Sequence, residues 1–244
     1  MELRGRIMPA SNATFLADLD GTKVVYKPIA GERPLWDFPD GTLAAREVAA
    51  YRVSVATGWD VVPPTWIGDG PHGPGMVQEW REPDPEQDAV AITLPDEVPE
   101  GWRPVFEGLD DADREVVLAH EDTAALRRMA VFDVVTNNAD RKGGHVLEMT
   151  DGHRYGVDHG LTFHHENKLR TVLWGWYGEP LGDEAVAGVQ RLLDALGDGL
   201  ADELAEHLTD LEVDTFARRC RRLLDRAVLP VPRGEWPVIP WPPF

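Results

Sequence analysis

Cysteine is almost missing from this chain: Cys220 is the only one in 244 residues, and it stands among arginines in an apparent helix. A single thiol excludes an internal disulfide and any zinc cage built on cysteine pairs, and with them redox chemistry. Positive charge is scarce as well. Twenty-four Lys and Arg against 43 Asp and Glu leave a formal charge of −19, which repels nucleic acid and the anionic face of a bilayer alike. No nucleic-acid partner and no stable membrane association are therefore expected. Long hydrophobic runs are lacking too. None approaches the ~18–20 residues of a spanning helix, and Met1-Glu2-Leu3-Arg4-Gly5 leads into polar sequence without a signal-peptide pattern, so a cytoplasmic location is expected.

What is present is a composition of 43% apolar and 27% charged residues, that of a soluble globular chain, with a length that fits two small lobes sharing a cleft. Residues 5–29 read as a three-stranded meander, with a turn at Pro9-Ala10-Ser11-Asn12-Ala13 and another at Gly21. Leu43 to Thr57 has helical spacing of apolar residues and ends at Gly58. Val61-Val62 and Met76-Val77-Gln78 read as two more strands. The Pro-, Asp- and Glu-rich stretch from Glu82 reads as a linker or surface excursion. The expected organisation is an N-terminal lobe over 1–81, the linker over 82–104 and a mainly helical lobe over 105–244.

In the second lobe, Asp113 to His120 and Thr123 to Val135 read as helices, the latter stopped by Asn137-Asn138. A hairpin follows, His145 to Met149 and His153 to Val157, turning at Asp151-Gly152. Asp183 to about Arg226 is helical, and the tail from Pro230 is rich in Pro and Trp.

Both ends of that hairpin carry chemistry. Asn137-Asn138-Ala139-Asp140-Arg141-Lys142-Gly143-Gly144-His145 is a polar loop, and Asp158-His159-Gly160 begins thirteen residues beyond it. Phosphoryl transfer needs one carboxylate to orient the attacking group and another to hold metal against the phosphates. Asp140 and Asp158 stand at such a spacing, with His145 five residues after Asp140 where the protein-kinase pattern has a metal-binding Asn. Taken singly, each Asp also fits a plain turn or cap residue.

This loop and hairpin resemble those of the phosphatidylinositol 3-/4-kinase-like superfamily, above all its small bacterial members, and more distantly those of HipA-type serine/threonine kinases. The residues that carry the resemblance are Asn138-Ala139-Asp140-Arg141 and Val157-Asp158-His159-Gly160-Leu161-Thr162-Phe163, and it covers residues 5–180. It implies an α+β, bilobal protein-kinase-like fold that binds ATP with Mg²⁺ or Mn²⁺. By that pattern Asp158 and His145 hold the metal, Lys27 contacts the phosphates, Glu47 orients Lys27, and Asp140 with Arg141 forms the catalytic pair. The turn at Ser11-Asn12 falls where a phosphate-covering loop belongs, although it lacks the glycines of G-x-G-x-x-G, and Gln78-Glu79 falls where a hinge holds adenine through its backbone.

The expected activity is phosphoryl transfer to a protein or small-molecule acceptor rather than to a lipid, given the charge. Two other readings use the same parts. One is a pseudokinase that binds nucleotide as a sensing module, favoured by His145 and Lys142 at positions where the family has other residues; the other is an adenylyl transferase. His159, His164 and His165 lack a completing carboxylate or cysteine at ligand spacing, which argues against zinc. His120, His153, His72 and His207 are expected at the surface or at helix ends. Lys142, Lys168 and Arg170 are either solvated charges or contacts for an anionic substrate. At least one of Trp174 and Trp176 is expected in the core, and Trp236 and Trp241 are expected to pin the tail.

Overall fold

The computed structural model describes residues 1–8, 12–39, 41–232 and 237–244. The N-terminal region is an antiparallel five-stranded sheet of β1 (Glu2–Arg6), β2 (Phe15–Leu19), β3 (Thr22–Pro28), β4 (Thr65–Gly70) and β5 (Gly73–Glu79), in the order β1-β2-β3-β5-β4. Alternation along β3 assigns its faces. Val24 and Tyr26 join Ala17 and Val77 in a small cluster on one side, so Lys27 must project from the other. That other side faces α1 (Leu43–Thr57). Thr42 caps α1 by accepting from Ala45 N–H, the Glu32 carboxylate accepts from Leu43 and Ala44 N–H, and Gly58 ends it with φ 70°.

The strand expected at Val61-Val62 is a buried loop, and the strand begins at Thr65 instead. Two valines alone do not fill a strand, and Val61 spends its carbonyl on Gly156 N–H across the lobes.

The expected linker holds ordered structure. β6 (Val90–Thr93), β7 (Arg103–Leu109) and β8 (Glu115–His120) form a second antiparallel sheet in the order β6-β8-β7. Asp113 to His120 is thus mostly strand where a helix is expected. The reason is local: Asp110 binds the N–H groups of Ala112 and Arg114 to close a tight turn, and of the β-branched pair that follows Val116 pairs with β7 and Val117 with both β6 and β7.

The helical part comprises α2 (Ala124–Thr136), α3 (Asp183–Ala195), the short α4 (Ala201–Ala205) and α5 (Asp210–Arg226), with the hairpin of β9 (Val146–Glu148) and β10 (Arg154–Gly156) between α2 and α3. Its main core joins Leu126, Met129 and Phe132 of α2 to Val189 and Leu192 of α3 and Phe216 of α5. Ala49, Ala50 and Val53 of α1 belong to this same core. The N-terminal helix is therefore shared between the lobes, and a boundary drawn at residue 81 cuts the chain but not the packing. Arg46 of α1 adds a buried ion pair to Glu212 of α5 at 2.7 Å.

Trp176 and Trp174 are buried, as the core expectation holds. His120 is not at the surface: it is fully buried, stacks near Trp176, and accepts from Gly175 N–H through Nε2. Trp241 is 75% exposed and pins nothing; the tail is held by Val238 O, which accepts from Trp174 Nε1 and Thr171 N, and by Pro243 O, which accepts from Gly143 N. Trp236 lies outside the described residues. Among the described residues no helix is long and apolar enough to cross a membrane.

Candidate active site

Lys27 is the centre of the site. Its Nζ lies 2.8 Å from Glu47 Oε1 and 2.7 Å from Asp158 Oδ1, so residues 20 and 131 positions away in sequence converge on one ammonium. Glu47 is buried on α1, and its second oxygen accepts from His159 N–H at 2.9 Å. That bond ties the helix to the Asp158 turn. Asp158 itself has φ 59°, a left-handed conformation that asparagine and aspartate tolerate better than other side chains. The turn aims the Asp158 carboxylate into the cleft, where its side chain stays about half exposed (51%).

The electrostatics follow the distances. Lys27 holds the Asp158 carboxyl well below the usual range, against the opposing push of burial. Burial pulls the Lys27 ammonium down, but Asp158 and Glu47 more than offset it and raise it above its ordinary value. Burial pushes the Glu47 carboxyl up, with Lys27 acting the other way.

His145 completes the cluster. Its Nδ1 lies 2.9 Å from Asp140 O, a carbonyl that can only accept, so Nδ1 carries the proton. Lys142 N–H, at 3.5 Å from the same nitrogen, is the weaker neighbour. Nε2 is then a bare lone pair, and it faces Asp158 Oδ2 at 3.5 Å. Burial depresses the imidazole pKa to about 4, despite the raising effect of Asp158, and keeps the ring neutral. The Lys27 ammonium, 2.7 Å from Asp158 Oδ1, supplies the cation that this approach of two electron-pair donors needs, and the same carboxylate and bare nitrogen are donors that a divalent metal could take. Asp158 and His145 supply only two ligands, and no group of three or more His, Cys, Asp or Glu is placed to hold a metal among the described residues. Phosphate oxygens and water would have to fill the remaining positions, as is usual for Mg²⁺.

Asp140 sits in the 137–145 loop, partly exposed, 3.9 Å from Lys142 Nζ. Burial raises its carboxyl above the ordinary value, partly countered by Lys142. Arg141 has no access to the cleft. It is fully buried, pairs with Asp133 of α2 through Nε and Nη2, donates from Nη1 to His145 O and Val157 O, and brings Nη2 within 2.6 Å of His159 Nε2. Every donor is consumed in bracing the two ends of the hairpin, so the catalytic assignment for Arg141 is corrected to a positioning one.

The remaining expectations divide. Ser11 lies outside the described residues. Asn12 Oδ1 accepts from Arg33 N–H, which spends that side-chain oxygen on the connection between β3 and α1. Gln78 is buried in β5 with its side chain donating to Thr65 Oγ1, and Glu79 N–H donates to Pro64 O. Neither offers adenine a side chain, and the hinge donor at Glu79 is spent. Among the described residues, Arg81 N–H, two positions on, has no hydrogen-bond partner.

Sequence reasoning missed Asp133. This wholly buried carboxylate accepts from Asn138 Nδ2, Arg141 and Thr171 Oγ1. A signal was there: an aspartate amid Met129-Ala130-Val131-Phe132 and Val134-Val135 has no reason to be on an apolar face unless something pairs with it. Asn137 was read as a helix stop, which it is (φ 55°), but its side chain also donates to His164 O and Glu166 O and accepts from Lys168 N–H. Lys168 itself lies 3.7 Å from Asp37.

No family model matches the chain. Among solved structures, a Helicobacter pylori proinflammatory kinase, CtkA, superposes with a TM-score of 0.51 over 92% of each chain at 10% sequence identity. At that identity the likeness speaks for the fold, and the α+β chain described above has the bilobal, kinase-like architecture. Protein Rv2133c of Mycobacterium tuberculosis is 53% identical over 253 residues, covering 98% of this chain and 91% of the relative. Identity of that level across nearly both lengths establishes common descent, and the chain belongs to the family of the mycobacterial protein Rv2133c.

Proposed function

We propose that this protein is an ATP- and divalent-metal-dependent phosphotransferase of the phosphatidylinositol 3-/4-kinase-like type, acting on a protein or small-molecule acceptor rather than a lipid. The observation that carries the reading is the convergence of Lys27, Glu47 and Asp158 with the bare Nε2 of His145. A lysine on the third strand paired to a helix glutamate, beside an aspartate after a short hairpin, is the arrangement that phosphoryl transfer requires. The kinase-like fold supports it.

In this reading Lys27 leaves Asp158 for the nucleotide phosphates and remains oriented by Glu47. Asp158 and His145 hold Mg²⁺ or Mn²⁺, which supplies neutralisation of charge on the phosphate oxygens. Asp140, with its raised pKa, accepts or orients the proton of the acceptor hydroxyl as the oxygen attacks. Arg141 and Asp133 keep the Asp140 and Asp158 turns in register. The hinge contact to adenine falls to the backbone of Glu79 O and Arg81 N–H.

One feature favours a second reading, nucleotide binding without turnover: His145 replaces the oxygen donor with a nitrogen that Mg²⁺ binds poorly. Incubation with γ-labelled and, separately, α-labelled ATP and each metal separates the possibilities. Label transferred from γ supports phosphotransfer, label from α supports adenylylation, and saturable binding with neither supports the sensing module.

A further inference from the structure

A cavity of about 480 Å³ opens between α5, residues 165–174, residues 228–231 and Val238. Its volume is in the range of small-molecule sites. Four arginines, Arg218, Arg219, Arg222 and Arg226, line it with His165, and among the described residues it has no aspartate or glutamate. In a chain of charge −19 that is the reverse of the average surface. Arg218, Arg222 and Arg226 fall at i, i+4 and i+8 on α5 and so share one face of it. The helix dipole accounts for Arg226, in the last turn, but not for Arg218 two turns earlier. Among the described residues neither Arg222 nor Arg226 has an ion-pair partner. Arg219 is committed, donating to Val135 O and His164 O. Apolar side chains, among them Leu169, Trp174 and Leu229, form the rest of the wall.

The cavity also shares one segment, residues 165–169, with the contacts of the 137–145 loop. His165, Asn167 and Leu169 line the cavity, while the backbone of the intervening residues bonds to the loop: Glu166 O accepts from Asn137 Nδ2, Lys168 N–H donates to Asn137 Oδ1, and Arg170 N–H donates to Asn138 O.

We propose that this cavity is a second anion site, for a soluble phosphomonoester with an apolar or aromatic body, whose occupancy rigidifies residues 164–170. Guanidinium groups bind phosphate oxygens through paired charge-assisted hydrogen bonds, and the apolar wall receives the body of the ligand. None of Lys27, Asp140 or Asp158 lines the cavity, so its occupant is independent of the phosphotransferase reading. Phenyl phosphate is the probe, titrated calorimetrically at fixed ionic strength into wild type, Arg222→Ala/Arg226→Ala and Lys27→Ala. Saturable binding is expected in wild type and Lys27→Ala, weakened roughly tenfold or more in the arginine variant. Backbone amide exchange over 164–170 should slow on addition of phenyl phosphate to wild type and stay unchanged in the arginine variant. No saturable binding, equal binding by the arginine variant, or loss of binding in Lys27→Ala would each overturn the site. So would binding confined to phosphatidic acid vesicles, since that assigns the arginines to a membrane.

Discussion

Asp158, His145 and Asp140 lie close in space but differ in what their removal should do. Asp158→Asn removes the charge that Lys27 and a metal share, so it should abolish the metal-dependent rise in melting temperature that ATP produces by binding the folded state. An undiminished rise in that variant would take Asp158 out of the metal site. Asp140→Asn should leave ATP affinity within a few fold and remove label transfer, because its carboxylate is not among the groups that contact Lys27. Collapse of affinity would instead make Asp140 a ligand or a cap. For His145 the tautomer matters: Nδ1–H is fixed by the Asp140 carbonyl, so Nε2 is the only available donor. His145→Asn exchanges a nitrogen for an oxygen and should move metal preference toward Mg²⁺ over Mn²⁺, read as the ratio of ATP affinities with the two ions. The free imidazole titrates near ~6.5, but the buried ring is depressed to about 4, so weak acid alone should not protonate this ligand.

At the scale of elements, the hairpin of β9 and β10 positions both carboxylates only because α2 holds its ends. Asp133 and Arg141 form a fully buried pair at 3.0 Å. Removing one partner of such a pair leaves a buried charge uncompensated, and Asp133→Ala should cost ~3–5 kcal/mol, measured by urea unfolding. A cost below ~1 kcal/mol would mean that water reaches Arg141 and that the brace is weaker than its geometry implies. The tail reaches the same loop from the other side. Gly143 donates to Pro243 O, and a Cβ at this position would run into the Phe244 ring. Gly143→Ala should therefore displace the tail and raise proteolytic cleavage within residues 237–244 while leaving the global unfolding midpoint nearly unchanged. Similarly, α3 approaches Trp59 only because residue 188 is glycine.

For the whole molecule, acid is the expected weakness. His145, His159 and His120 are all held neutral, chiefly by burial, with pKa values below the ordinary imidazole. Folding thus suppresses protons that the unfolded chain binds below pH ~6.5, and stability present above that pH is lost progressively as pH falls toward ~4. For His145 alone the loss amounts to roughly 3 kcal/mol. Asp158, depressed by Lys27, adds a further loss once pH falls below ~3.9. Chemical denaturation of the metal-free protein should give a level stability from pH 8 to ~6.5 and a fall from there to pH 4, and His145→Asn should make that fall shallower; a flat wild-type profile would mean these rings find protons without unfolding. The shared core and the Arg46–Glu212 pair couple the two lobes, so a single unfolding transition is expected.

Local pattern was enough to place β2, β3, α1, α2 and the β9–β10 hairpin, because alternation, helical spacing, caps and an Asp-Gly turn act within a few residues. It was also enough to nominate Lys27, Glu47, Asp140, His145 and Asp158, since their order and spacing lie along the chain. What they touch was beyond it. Glu47 and Asp158 meet on Lys27 only because β3 faces α1 and the hairpin folds back beneath both. The second sheet escaped detection because β8 draws its stability from pairing with two other strands, an energy absent from any local window. The roles of Asp133 and Arg141 were decided in the same way: a buried charge is tolerable only with its partner in place, and the partner is supplied by tertiary structure.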